Sequence, residues 1–200
     1  MKVGVSFSGG LDSMVLAYEV LQRYDDVTLL TGTSTGWIVK KHYRYGDTYF
    51  TQDIVLKLEE RLGKKIKHEL FPAVYFGHGE LNEEMQVGRV AELLYAYYVK
   101  GKYDIVYLGN NAVPDELSQY PRYFNQYEGI HDFGKHKLEI KIPYKDILKD
   151  EIYRKVIDYK LEDIARLTVS CAHAIPNYQC GECFGCKEKH WAEEKTGVVL

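Results

Sequence analysis

Short apolar runs alternate with amphipathic stretches through the first three-quarters of the chain, the pattern left by parallel strands and their crossover helices. Lys2 to Ser8 predicts a first strand, and Asp12 to Arg23, with Met14, Val15, Ala17, Tyr18 and Leu21 at helical spacing, predicts the helix after it. Val27 to Thr31 reads as a second buried strand. Residues 47–62 place Ile54, Val55, Leu58 and Leu62 on one helical face before Gly63, a residue suited to a helix C-terminus, and Lys65 to Leu70 reads as a third strand. Glu84 to Lys100, carrying Val87, Val90, Ala91, Leu94, Tyr95 and Tyr98, predicts a further helix. Asp104 to Gly109, reading DIVYLG, is a strand closed by glycine, and Leu138 to Ile142 is a fifth.

The pattern changes at Pro143. Lys145 to Tyr159 and Glu162 to Leu167 predict helices, and no strand follows. The expectation is an α/β fold: a doubly wound parallel sheet over residues 1–142 and a small helical region over 143–200, forming one compact unit. The long irregular connections, Gly32 to Gly46 and Asn110 to Gly134, follow strands, and binding sites in such sheets gather at the carboxyl ends of the strands.

Composition narrows the class. Two hundred residues with 46% hydrophobic content suit a single globular domain, and the formal charge of -3 gives none of the basic footprint that duplex nucleic acid requires. The opening MKVGVSFSGG is too short an apolar run for a signal peptide, and no stretch of about 18 uncharged apolar residues appears, so a cytoplasmic protein without membrane contact is expected.

Ser8-Gly9-Gly10-Leu11-Asp12-Ser13 falls where the first strand ends and the first helix opens, a position where free backbone N–H groups and the helix dipole favour an anion. Two glycines let the backbone approach a phosphate closely, and Ser8 and Ser13 add hydroxyls. The lysine of GxxxxGK[ST] is missing and so is the GxGxxG spacing of dinucleotide folds. Asp12 would repel phosphates unless it caps the helix or holds a magnesium ion, so the alternatives are a plain strand-to-helix turn with Asp12 or Ser13 as cap, or a site for a magnesium nucleotide.

All four cysteines lie between Cys171 and Cys186. The CxxCxxC of Cys180, Cys183 and Cys186, closed by Cys171, has the spacing of a tetrahedral four-thiolate zinc site with no open position; two disulfides, a redox thiol pair and an iron–sulfur cluster are the competing readings.

Taken together, the SGGxDS hexapeptide and Ser170-Cys171 followed by Cys180-Gly181-Glu182-Cys183-Phe184-Gly185-Cys186 resemble the 7-cyano-7-deazaguanine synthase (QueC) family of the PP-loop ATP pyrophosphatase superfamily. Gly88-Arg89, the Asp104 to Gly109 strand, Asn111, Tyr120-Pro121 and the Lys149 to Glu151 segment extend the resemblance over nearly the whole chain. It implies an adenine nucleotide alpha hydrolase-like sheet and a PP-loop nucleotide-binding domain over 1–142. It also implies an ATP-dependent carbon–nitrogen ligase converting 7-carboxy-7-deazaguanine and ammonia to the nitrile, in queuosine or 7-deazapurine biosynthesis. ATP with Mg2+ would be held by Phe7, Ser8, Gly9, Gly10, Leu11, Asp12, Ser13 and Met14, with Asp12, Ser13 and Arg89 catalytic, and a structural zinc on Cys171, Cys180, Cys183 and Cys186. The chain departs from the family pattern at Gly88-Arg89-Val90, where Asn follows the arginine, and at Tyr120-Pro121-Arg122, where an acid follows the proline. A relative that adenylates another carboxylate, one that modifies a protein or nucleic-acid target, and a tRNA-modifying enzyme are the alternatives. A homodimer is left open.

Arg89 can pair with a phosphate or carboxylate, or be a solvated helix residue. Tyr120, Tyr123, Phe124 and Tyr127 can stack on a heterocycle beside Arg122, or pack as one face of a short helix. His173 beside Cys171, and His78 and Glu80, are weaker candidates, and the Lys187 to His190 run reads as an exposed helix end.

Overall fold

The computed structural model describes residues 1–34, 49–73, 102–118, 127–132, 134, 136–171 and 179–200. Six strands form one sheet in the order β3-β2-β1-β4-β6-β5: β1 (Val3–Ser6), β2 (Val27–Ser34), β3 (Lys67–Ala73), β4 (Ile105–Tyr107), β5 (Gly129–Asp132) and β6 (Lys137–Lys141). The described helices are α1 (Leu11–Arg23), α2 (Tyr49–Leu62), α3 (Lys149–Asp158), α4 (Glu162–Ala165) and α5 (Phe184–Thr196). β1, β2, β3, β4 and β6 pair in parallel. Val3 and Val5 of β1 are fully buried, as befits a central strand covered on both faces.

Three expectations are corrected. The Asn110 to Gly134 connection contains β5, which pairs antiparallel with β6, so the sheet is mixed at that edge. Four residues separate β5 from β6, far too few for a crossover, and a hairpin is what such a link permits. The strand left little trace in the sequence because Ile130 is 70% exposed and no apolar face is buried along it. The Lys187 to His190 run is not a helix end: it lies within the 13 residues of α5, with Glu188 buried among its basic neighbours. The helix expected from Lys145 starts at Lys149, after turns in which Lys145 N–H donates to Ile142 O and Ile147 N–H to Tyr144 O. The Glu84 to Lys100 helix lies outside the described residues.

α1 packs its buried face, Met14, Val15, Leu16, Ala17, Val20 and Leu21, into the main core with Ile152, Tyr153 and Val156 of α3. Glu19 of α1 accepts hydrogen bonds from Tyr144 (2.7 Å), Tyr159 (2.8 Å) and Lys155 (2.7 Å). Burial alone would raise its pKa, yet these three donors more than offset that and hold it below the usual carboxylate range. α3 and the turns before it are thereby fastened to the helix that opens behind β1.

Candidate functional site

β1 leads to β2 on one side and has β4 on the other, so the strand order reverses between β1 and β4, the switch point where open α/β sheets form a crevice. Ser8 to Ser13 lies at that point. Gly9 adopts φ +78°, a left-handed conformation, and a side chain there would collide with Phe50 and Thr51 of α2. Gly10, not Asp12 or Ser13, is the N-cap of α1 and makes no side-chain cap bond.

The serines stitch the turn together. Ser13 Oγ donates to Gly10 O at 2.9 Å, which commits its proton, so Ser8 Oγ, 3.2 Å away, donates to Ser13 and accepts from Gly10 N–H. Phe7 is fixed by its N–H on Leu30 O (2.8 Å) and by Thr31, whose hydroxyl donates to Phe7 O at 2.7 Å. Gly109, which follows β4, presses on the start of α1, and a Cβ there would stand 3.0 Å from Ser13 N. Leu11, Ser13 and Met14 are buried; Ser8 is exposed.

Asp12 carries the main surprise. Lys149, at the start of α3, places Nζ 2.7 and 2.6 Å from its two carboxylate oxygens. Lys149 is almost fully buried and also stands 3.7 Å from Glu188 Oε2 of α5, whose Oε1 accepts from Asn111 Nδ2 at 2.8 Å. Asn111 belongs to the segment after β4, and Ala112 N–H donates to Ile147 O, tying that segment to the turns before α3. The family resemblance covers Asn111 and Lys149 but implies no role for them, and Glu188 stands in no motif. A lysine buried against an aspartate 137 positions away leaves no local signature.

The four cysteine sulfurs lie within 4.8 Å of one another. Cys183 is the N-cap of α5 and Cys186 follows within its first turn, which puts both on one side. Gly181, at φ +73°, turns the chain so that Cys183 N–H donates to Cys180 Sγ at 3.3 Å. Burial acts to raise the Cys180 thiol, but N–H donation from Cys183 and Glu182 brings it down to about 6, favouring the thiolate a metal needs. Four cysteines at this separation, none of them in a disulfide, can close around one ion. The cluster also abuts the loop: Val169 N–H donates to Gly9 O at 3.0 Å, and Gly185 lies so close to the Ser170 carbonyl that no side chain fits.

Arg89, Tyr120, Arg122, Tyr123, Phe124, His78, Glu80 and His173 lie outside the described residues. Tyr127 of the aromatic group is half-buried against the apolar cluster of Leu138, Ile140 and Ile142.

A six-stranded, mostly parallel sheet with a Ser-Gly-Gly turn at its switch point defines an α/β protein with an open crevice at that turn. The sequence profile described as Queuosine biosynthesis protein QueC matches residues 92–197, and the chain belongs to that family. The matched part holds Asn111, Lys149, Glu188 and all four cysteines, and stops short of Ser8 to Ser13. Among solved structures, the chain is similar to NMN synthetase from Francisella tularensis, with TM-score 0.57 and 16% identity over 100% of this chain and 78% of that one. That likeness is one of fold. It also overlaps U34-tRNA thiolase NcsA from Methanococcus maripaludis with its [4Fe-4S] cluster, at TM-score 0.47, 17% identity and 98% and 67% coverage, too low a score to argue from. No curated protein matches. Among the described residues no helix is long and apolar enough to cross a membrane.

Proposed function

We propose that the chain is an ATP-dependent ligase that converts 7-carboxy-7-deazaguanine and ammonia to 7-cyano-7-deazaguanine. The observation that carries this reading is the Ser8 to Ser13 turn at the switch point, with Asp12 clasped by Lys149, in a chain of the QueC family. The helix N-terminus at Leu11 to Ser13 presents backbone N–H groups and the positive end of its dipole, a seat for the phosphates of ATP. The substrate carboxylate attacks the α-phosphorus and pyrophosphate leaves. Ammonia then displaces AMP to give the primary amide, a second ATP adenylates the amide oxygen, and loss of AMP with a proton yields the nitrile. No enzyme nucleophile is needed; the protein positions the reactants and neutralises charge. The magnesium ion travels with ATP, and Asp12 is the carboxylate placed to meet it. Arg89, Tyr120, Arg122 and Tyr123 are assigned to the substrate pocket.

The four cysteines are assigned to a structural zinc. Zn–S bonds of about 2.3 Å in a tetrahedron set sulfurs about 3.8 Å apart, and Cys180 Sγ to Cys186 Sγ is 3.9 Å. An iron–sulfur cube carries its cysteines on four separate irons and spreads them further. Residues 1–142 and 143–200 act as one unit because the second part holds the loop of the first at Gly9 and Asp12.

The test is turnover of 7-carboxy-7-deazaguanine with ammonia and magnesium ATP, followed by mass spectrometry of the base and chromatography of the nucleotides. The nitrile with AMP and pyrophosphate is the expected result. ADP as the nucleotide product overturns the chemistry. ATP binding without turnover of this base moves the reading to another carboxylate, toward which Arg122 after Pro121 already leans.

A further inference from the structure

Val169 joins the cysteine cluster to the turn after β1. Its N–H donates to Gly9 O at 3.0 Å, and its own carbonyl oxygen lies 3.7 Å from where a Cβ of Gly10 would stand. Cys171, a buried member of the cluster, follows two residues later. Three residues of chain span about 10 Å at most, so the cluster and the turn are neighbours. Between them the Ser170 carbonyl is seated so close to Gly185 of α5 that no side chain fits. Residues 169–171 are thus held by α5 on one side and touch the turn on the other.

The peptide between Gly9 and Gly10 is the part of the turn with the most freedom. Gly10 sits at φ -81°, and among the described residues the nearest atom to a Cβ built on it is Ser8 Oγ at 3.5 Å, so neither strain nor crowding calls for glycine there. What two glycines in a row permit is rotation of the whole peptide plane, because neither has a side chain to oppose either orientation. In a trans peptide the C=O and the N–H point in opposite directions. Val169 on Gly9 O therefore turns Gly10 N–H the other way, toward Ser8 Oγ at 3.4 Å, on the side where Ser8 is exposed. We propose that Val169 is a positioning residue: its N–H, anchored beside the cysteine cluster, selects the orientation of the Gly9-Gly10 peptide in which Gly10 N–H meets the phosphates of the nucleotide. With the peptide turned over, a carbonyl oxygen would face the phosphates and repel them. The inference rests on the reading of Ser8 to Ser13 as the seat of magnesium ATP.

The experiment is calorimetry on the full chain with magnesium α,β-methylene-ATP and with adenosine, for wild type, Val169→Pro and Val169→Ala; metal content is measured on each sample. Proline removes the N–H, whereas alanine keeps it and removes only the side chain. Val169→Pro should weaken the magnesium nucleotide about tenfold or more, the scale of one hydrogen bond at a charged group. Adenosine affinity and metal content should stay at the wild-type level, and Val169→Ala should stay within about threefold of wild type. Equal nucleotide affinity in wild type and Val169→Pro, parallel losses for adenosine and nucleotide, a loss that follows lost metal, or an equal loss in Val169→Ala overturns the proposal. A second measurement needs no variant. Linkage is reciprocal, so saturating magnesium α,β-methylene-ATP should slow amide hydrogen exchange at Val169 of the wild type about tenfold more than saturating adenosine does. If Val169→Pro does not fold, that amide decides alone, and an exchange rate no slower with the nucleotide than with adenosine overturns the proposal. A wild-type chain that binds no magnesium nucleotide at all defeats the reading of the loop first, and the role of Val169 falls with it.

Discussion

The ammonium of Lys149 meets both carboxylate oxygens of Asp12, at 2.7 and 2.6 Å, from the first turn of a helix 137 residues further along the chain. The Ser8 to Ser13 turn, which has no lysine of its own, thus has a cation delivered to it by tertiary packing. The same contact locks α3 against α1.

Lys149→Met should destabilise the protein by about 3 to 5 kcal/mol, because the half-buried Asp12 loses the ammonium on both its oxygens and the buried Glu188 loses a nearby cation. Urea unfolding measures this; a loss under about 1 kcal/mol would show that the pair is weakly coupled. Asp12→Asn removes no core surface, should leave the far-UV spectrum intact, and should lower turnover about 100-fold.

Purified protein should carry one zinc per chain on Cys171, Cys180, Cys183 and Cys186. Cys183→Ser should release it and lower the melting temperature, since a structural site contributes its binding energy to folding. Elemental analysis finding iron, or no metal in a folded chain, would falsify the assignment.

Gly109→Ala should cost about 1 to 3 kcal/mol, the usual range for overpacking, and should weaken nucleotide binding along with stability. The new Cβ would stand 3.0 Å from Ser13 N and Cα, backbone atoms that cannot give way without shifting the start of α1. Gly63→Ala, with φ +63° but open space around it, should cost stability and leave nucleotide affinity untouched, which separates strain from displacement of the loop.

Stability should fall on acidification below about pH 4.5 as Glu19 takes up a proton. Its folded-state pKa is lowered, so the unfolded chain binds the proton more readily; the contribution is complete above the unfolded value and is lost as pH drops through the folded one. Glu19→Gln should cost about 2 kcal/mol at neutral pH, and the gap to wild type should narrow in acid. Lys155 works in the other direction. Burial would lower its pKa, but Glu19 raises it, so its contribution is complete below the usual lysine value and fades only as pH rises above it. Denaturant titrations at several pH values check both limbs, and a constant difference between the two proteins across the acid range would count against the Glu19 account.

Much of this protein is written in short-range terms. The alternation of apolar runs and amphipathic stretches yields β1, α1, β2, α2, β3, β4 and β6 to within a few residues, because strand and helix periods are local properties of a chain. The glycine pair of the loop and the cysteine spacing are legible for the same reason: each answers a demand made within a few residues, a sharp turn or a reach to a common ion. Strand β5 was not legible, since its side chains bury no face and only the partner β6 defines it. The relation of Asp12 to Lys149, and of Lys149 to Glu188 and Asn111, was decided by tertiary structure alone. A buried ion pair is fixed by where helices pack and by the cost of leaving a charge without a partner, and neither quantity is carried by the residues near it in sequence.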